Sequence, residues 1–283
     1  MKKTVRLNDG SSIAQVGFGC FQISDTEMQQ VLRWATESGY RYFDTATRYE
    51  NEQSVGRALR SCGVPRKDLY VVSKIWPICY DNPVQAIEYS LAQLGLEYID
   101  SYYLHWPSSS RERRNKAWEA LLQYRQKGLI KSVGVSNFTP YQLQQLIDDY
   151  GVVPVVNQVE LHPWYQQREL RSWCAEHGVA VTAWGPIFRG HIAEVPLMEE
   201  LAQKYNKTPV QVTLRWHLQH GNIVIPKSAN KERIEQNGSL YDFFIEQADM
   251  EKIDALQNGR HFGDDPDTND GENFIINFGG QQE

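Results

Sequence analysis

The 283-residue chain lacks the features that would tie it to several classes of function. Its four cysteines, Cys20, Cys62, Cys79 and Cys174, lie far apart, with no Cys-x-x-Cys and no Cys/His pairing at zinc-ligand spacing, so neither a disulfide framework nor a zinc ribbon is expected. No long Lys/Arg block occurs, and 29 basic against 35 acidic residues leave a net charge of −6, which points away from nucleic acid and anionic membrane surfaces as partners. No window approaches the length of a membrane span, and Met1-Lys2-Lys3-Thr4-Val5-Arg6-Leu7 turns polar too early for a signal-peptide core. The histidines show neither His-Glu-x-x-His nor a two-His-one-carboxylate spacing, so no metal is expected; His217 and His220 share a helix face that reads as solvated surface. These absences predict a soluble cytoplasmic protein that works on a small molecule.

What is present is one pattern repeated. After a hairpin signal at Asn8-Asp9-Gly10, a short apolar run and a helical segment alternate eight times, and Gly39, Gly63, Gly95, Gly128, Gly151 and Gly178 mark helix ends. Ser24-x-x-Glu27 reads as a capping box, and Thr139-Pro140 as an N-cap with proline at the first helical position. Eight strand-helix units in this length predict a single (β/α)8 TIM barrel over 1–283: an N-terminal β-hairpin over about 4–16, the barrel over about 17–257 and a C-terminal tail over about 258–283. The alternative, an open doubly wound sheet, lacks support because Gly17-Phe18-Gly19 has no third glycine at dinucleotide-binding spacing. The tail is acidic and turn-rich, then apolar at Asn273 to Phe278. It either folds over the barrel mouth or stays disordered.

In such a barrel the chemistry sits where strands end at their C-terminal side. The expected strand ends carry Asp44, Lys74, His105, Ser136-Asn137, Gln158, Trp184 and Lys227-Ser228, with Tyr49 on the turn after Asp44. A phenol near its ordinary pKa of about 10 is a weak acid unless its phenolate is stabilised, and a buried lysine kept charged by Asp44 does that. Tyr49, Lys74 and Asp44 therefore read as a tuned proton donor, and a neutral His105 as a hydrogen-bond donor to the same substrate oxygen. That set suits reduction of a carbonyl or oxidation of an alcohol. Phe21, Trp76 and Trp106 give the expected pocket an apolar lining. A barrel glycosidase would need Asp44 and Glu160 as a carboxyl pair, with Asp44 held ionised beside Lys74.

Asp44-Thr45-Ala46-x-x-Tyr49-x-Asn51-Glu52, Ser73-Lys74, Leu104-His105-Trp106-Pro107, Gly134-Val135-Ser136-Asn137-Phe138, Asn157-Gln158-Val159-Glu160 and Ile225-Pro226-Lys227-Ser228 occur in order. With these motifs the chain resembles the aldo-keto reductases, most closely their short bacterial members similar to 2,5-diketo-D-gluconic acid reductase. The resemblance implies NADPH-dependent reduction of small aldehydes, ketones or keto sugars by a monomer, with Asp44, Tyr49, Lys74 and His105 as the catalytic four. It implies that Ser136, Asn137 and Gln158 hold the nicotinamide carboxamide, that Trp184 stacks under the ring, and that Gly185, Ile187 and Arg189 approach the pyrophosphate. Gln236 and Asn237 would reach the adenine. Lys227, Ser228 and Arg233, at a strand end and the opening turn of a helix, suit the adenosine 2′-phosphate on physical grounds as well. Some relatives turn over little, so a cofactor-binding sensor or structural barrel is the alternative. Cys20-Phe21 departs from the Thr and Trp frequent in relatives, and Arg111, Arg113 and Arg114 are expected in a short loop after His105.

Overall fold

The computed structural model describes residues 3–272; the apolar stretch 273–278, expected over the mouth, lies outside the described residues. Strands β1 (Thr4–Arg6) and β2 (Ser12–Ala14) pair antiparallel around the Asp9-Gly10 turn. Eight further strands form one parallel sheet in chain order: β3 (Phe18–Gly19), β4 (Tyr42–Asp44), β5 (Tyr70–Ile75), β6 (Ile99–Leu104), β7 (Ile130–Ser136), β8 (Val156–Glu160), β9 (Ala180–Trp184) and β10 (Ile223–Val224). The sheet closes on itself where Val16 bridges Val224, Gly17 N–H donates to the Val224 carbonyl at 2.8 Å and Val224 N–H to that of Gln15 at 3.0 Å.

The helices are α1 (Asp25–Glu37), α2 (Glu52–Ser61), α3 (Pro83–Leu94), α4 (Arg111–Gln126), α5 (Pro140–Tyr150), α6 (Arg168–Glu176), α7 (Pro196–Tyr205), α8 (Pro209–Gln219), α9 (Lys231–Gly238) and α10 (Gln247–Asp254). Alternation along each strand separates two cores. Outward side chains such as Phe43, Val71 and Val133 join Leu32, Val55, Ile87 and Leu121 of the helices. Inward ones, Tyr42, Val72, Tyr103, Val156 and Ile223, fill the lumen together with Leu7 and Ile13 of the hairpin, which plugs the N-terminal end. Lumen rings need room opposite them. A Cβ on Gly134 would fall 2.6 Å from the Tyr103 ring, so any side chain there would displace that tyrosine.

Both α5 and α8 start in full capping boxes, at Thr139 with Gln142 and at Thr208 with Gln211. The expected box at Ser24 is not formed: its hydroxyl donates to Glu27 Oε2 at 2.5 Å, and so does not accept a backbone N–H. The expected loop after His105 is also corrected. Ser110 accepts from Arg113 N–H as an N-cap, so α4 begins at Arg111 and the three arginines belong to its first turn. His217 and His220 are no solvated patch either. His217 is fully buried and bonded to the Pro186 carbonyl at 3.0 Å, and His220 meets Asp254 at 2.9 Å.

Candidate active site

Strand β4 delivers Asp44 to the rim, and the chain then turns through one 3-10 turn, Thr47–Tyr49, before α2. Asn51 fastens this turn: it accepts from Thr45 Oγ1 at 2.6 Å and donates to the Cys20 carbonyl at 2.8 Å. Lys74, inward on β5 and wholly buried, donates to Asp44 Oδ1 at 2.6 Å, to the Thr45 carbonyl at 2.9 Å and to the Tyr49 hydroxyl at 3.3 Å. Gln158 reaches across the barrel to Asp44 Oδ2 at 2.7 Å. All of the lysine's donors are thereby engaged.

Burial alone would strip Lys74 of its proton, but Asp44 and Tyr49 more than offset it, so its pKa lies above the ordinary lysine value. For Tyr49 burial again comes first and raises the pKa, and Lys74 offsets only part of that rise. The phenol is therefore protonated at neutral pH, with a cation in place for the phenolate that proton donation would leave. His105, buried, is held well below the ordinary imidazole pKa by burial first, then by the charges of Lys74 and Arg48, so it is neutral. Its ring centroid lies 5.7 Å from that of Tyr49 and 4.9 Å from that of Trp76, and its Nδ1 has no partner among the described residues.

Phe21 packs 4.8 Å from Tyr49, centroid to centroid, and remains exposed, so Phe21 and Trp76 flank the Tyr49–His105 pair. Trp106 shares the larger apolar cluster with Trp76, and its carbonyl accepts from Tyr80.

Around the rim, Ser136 Oγ donates to the Gln158 carbonyl at 2.7 Å, and Asn137, at φ +65, donates to the His105 carbonyl at 3.0 Å. Asn137 Oδ1 then accepts from Trp184 Nε1 at 2.8 Å, which locks the half-buried indole beside the mouth. Beyond it Gly185, Phe188, Arg189 and Gly190 all have positive φ, with Ile187 between them, and within this turn the Phe188 and Gly190 N–H groups donate to the Gly185 and Ile187 carbonyls at 2.9 Å each. At the opening of α9, capped by Asn230, Lys227 and Arg233 are exposed and have no acidic partner among the described residues. Ser228 accepts from Asn230 N–H, Gln236 is half-buried and Asn237 is buried.

The first part of the C-terminal tail lies over the barrel mouth as a strap, and what sequence reasoning missed is its anchors. Residues 258–272 cross the mouth: Asn258 and Gly259 donate to the Trp164 carbonyl, and Phe262 and Gly263 N–H groups donate to Glu160 at 2.6 to 3.0 Å. Farther along, Gln142 donates to Asp267 at 2.8 Å, Ser108 and Ser109 donate to Asp270, and Trp76 Nε1 donates to the Gly271 carbonyl at 3.0 Å. A Cβ on Gly263 would sit 3.0 Å from Glu160 Oε2 and 3.1 Å from the Trp184 ring, so a side chain there would need these neighbours to give by a few tenths of an ångström. Glu160, also bonded to His162 at 3.0 Å, is held below the ordinary carboxylate range: burial raises it, but His162 and the strap amides prevail. Neither Glu160 nor the ion-paired Asp44 offers the protonated carboxyl a glycosidase needs.

The sequence profile of the Aldo/keto reductase family matches residues 14–258. The chain belongs to the aldo/keto reductase family. It is 42% identical over 270 residues to "Methylglyoxal reductase DkgA" of Yersinia pestis, covering 95% of this chain and 98% of the relative. An aldo-keto reductase of Mycolicibacterium smegmatis is likewise 42% identical over 270 residues, with the same coverage. Among solved structures, an aldo/keto reductase from Brucella melitensis superposes with a TM-score of 0.88 at 41% identity, covering 91% of this chain and all (100%) of that one. A Gox0644 variant in complex with NADPH gives 0.89 at 36% identity, covering 95% and 99%. These matches and the closed parallel sheet agree on the TIM barrel.

Proposed function

We propose that the protein is an NADPH-dependent carbonyl reductase in which Tyr49 is the proton donor. The observation that carries the reading is the Tyr49 hydroxyl 3.3 Å from Lys74 Nζ, itself paired with Asp44 at 2.6 Å. The donor set fits the cofactor. Lys227 and Arg233 lack acidic partners beside a helix N-terminus that favours an anion, and suit the adenosine 2′-phosphate with Ser228. Trp184 offers an indole fixed by Asn137, and the backbone at Gly185, Ile187 and Arg189 is assigned to the pyrophosphate. Ser136 and Asn137 would hold the carboxamide; the amide nitrogen of Gln158 is committed to Asp44, so its share rests on its Oε1. Gln236 and Asn237 are assigned to the adenine. When bound, the reduced nicotinamide supplies hydride to the carbonyl carbon.

The side chains do the rest. Tyr49 O–H and neutral His105 hydrogen-bond the carbonyl oxygen and orient it, with Phe21 and Trp76 as the apolar walls. As negative charge grows on that oxygen, Tyr49 passes its proton to it, Lys74 stabilises the phenolate left behind, and Asp44 keeps Lys74 charged and aimed. The strap excludes water. The relatives named for methylglyoxal reduction support a small, reactive aldehyde as substrate. We take the chain as one barrel domain acting as a cytoplasmic monomer, in keeping with its acidic composition and the lack, among the described residues, of any helix long and apolar enough to cross a membrane.

Tyr49→Phe is the test. NADPH oxidation with methylglyoxal should fall by about a thousandfold, while quenching of tryptophan fluorescence by NADPH persists, and NADH should serve wild type less well than NADPH at matched concentration. Survival of activity within a few-fold in the variant rules out the assigned proton donor. Binding without turnover in the wild type would favour the sensor reading.

A further inference from the structure

The three arginines in the first turn of α4 have partners: Arg111 binds Asp149, Arg113 donates to Asp81 Oδ1 at 3.2 Å, and Arg114 is buried against Gln145 at 3.0 Å. Two arginines of α6 are placed differently. They line a cavity of about 520 Å³ on the outer side of β9, beside the opening residues of that strand and away from Trp184 at its other end. Arg168, Arg171 and Ser172 form one wall, His220 and Asn222 between α8 and β10 another, and Asp254 at the end of α10 a third. Arg171, half-buried, donates to the Gln166 carbonyl at 3.4 Å, and Arg168 donates to Gln166 Oε1 at 3.0 Å and to the Asp254 carbonyl at 2.7 Å. These acceptors are neutral, and neither guanidinium has an ion-pair partner among the described residues. Asp254, the one acid in the wall, is engaged through Oδ1 with Trp216 Nε1 at 2.7 Å and His220 Nε2 at 2.9 Å. Burial comes first in lowering the pKa of Arg171 and of His220; Asp254 offsets part of this at each, and Arg168 adds to the lowering at Arg171. Two positive charges therefore stand against one negative charge, beside a neutral imidazole. Asn222, almost fully buried in the same wall, has an amide nitrogen with no hydrogen-bond partner among the described residues. Val5 and Val181 add apolar surface.

A guanidinium drawn partly out of water without a counter-ion is unfavourable, and an anion that also accepts hydrogen bonds relieves it. Carboxylate and phosphate oxygens match the planar fork of an arginine, and the cavity has the size of a small-ligand site. We propose that this cavity is a second ligand site, separate from the reductase centre, for a small organic oxyanion: a carboxylate or phosphate on a short apolar body. Arg171 is its main anchor, because its Nε and Nη2 make no bond among the described residues, whereas Arg168 commits Nε and Nη2 to Gln166 and Asp254. Asn222 supplies its amide, and Val5 and Val181 meet the apolar body. The proposal does not depend on the reductase reading.

Benzoate and phenyl phosphate, with neutral benzamide as control, test it by calorimetry on the protein saturated with NADPH, so that the Lys227 and Arg233 end is already filled. At least one of the two anions should bind about tenfold more tightly than benzamide, and less tightly as salt is added. Arg171→Met should weaken that binding by about tenfold or more, and Arg171→Lys should restore part of it. Ser172→Asp, at an exposed position of the rim, adds a like charge and should also weaken it, by about threefold or more, with no demand on the core. NADPH oxidation with methylglyoxal should be unchanged in all three variants. Failure of both anions to bind, or benzamide binding as tightly as either, overturns the site and needs no variant. Binding that is unchanged in Ser172→Asp and in folded Arg171→Met, or that is lost in Tyr49→Phe instead, overturns it as well.

Discussion

The two faces of β5 carry nearly the same ingredients and reach opposite electrostatic states. On the lumen side Asp44 receives two donors, Lys74 Nζ at 2.6 Å and Gln158 Nε2 at 2.7 Å. On the helix side Glu52, the first residue of α2, also receives two, Ser73 Oγ at 2.5 Å and Ser90 Oγ at 3.1 Å. Both carboxyl groups are almost fully buried. Yet Lys74 beside Asp44 holds its proton more firmly than an ordinary lysine, whereas the Glu52 carboxyl is pushed up to about 7 by burial, with the two serines and the more distant Lys74 offsetting only part. Equal numbers of hydrogen bonds do not suffice: contact with Asp44 keeps Lys74 charged on the inner face, and neutral hydroxyls leave the outer carboxyl near its tipping point at neutral pH.

Removing charge from the inner face should have the largest effect. Asp44→Asn leaves Lys74 buried without its counter-ion, so unfolding in denaturant should show a loss of about 3 to 5 kcal/mol. Reduction should slow by roughly tenfold or more, but less than in Tyr49→Phe, because the phenol stays in place. A loss below about 1 kcal/mol would mean that the inner pair is not what charges the lumen.

The outer face comes next, and its signature is in pH. Glu52 has a folded pKa of about 7 against an ordinary value of 4.5, so between these values the folded state holds more protons than the unfolded one. By linkage, stability contributed by this group is fully present below about 4.5 and is lost as pH rises through about 7, on the order of 3 kcal/mol in all. Glu52→Gln should abolish that slope and close most of the gap to wild type at pH 8. Denaturant midpoints at pH 5 and pH 8 measure this, and a wild-type-minus-variant difference that does not move with pH defeats the comparison. Ser90→Ala should have the smallest effect, about 1 kcal/mol at low pH, where the hydroxyl lost is one of the two bonded to Glu52. The variant should also steepen the pH slope, since it raises Glu52 further.

Much of this could be read from the chain, and the limits have physical causes. The strand ends that carry Asp44, Lys74, His105 and Gln158 were legible because a polar residue closing an apolar run has few places to go in a parallel barrel. The glycines that end the helices at Gly63, Gly95 and Gly151 take positive φ as expected. Glu52 was quoted in a motif without its burial or its serines being visible, since Ser73 and Ser90 belong to different repeats. The link from Gln158 to Asp44 spans 114 positions and follows only from barrel closure. A tail over the mouth was expected, but its anchors were not, because they join residues more than a hundred positions apart: Glu160 with the Phe262 and Gly263 N–H groups, Gln142 with Asp267, and Ser108 and Ser109 with Asp270. The start of α4 was placed too late because three arginines look like loop until Ser110 is recognised as their cap.

The seam that closes the barrel has a consequence for how the protein is made and unmade. Gln15, just before β3, donates to the Asn222 carbonyl, 207 positions along the chain, while each of the other strands pairs with its sequence neighbour. Adding repeats one at a time therefore extends an open, curved sheet with two raw edges, and only arrival of β10 removes them. Loop-closure entropy grows slowly with length, so this last pairing costs little more at equilibrium than a short one, but it sets the longest search during folding. Until it is made, the growing chain carries the edge liability of an open sheet; once made, the two ends of the barrel's sequence share a single cooperative unit.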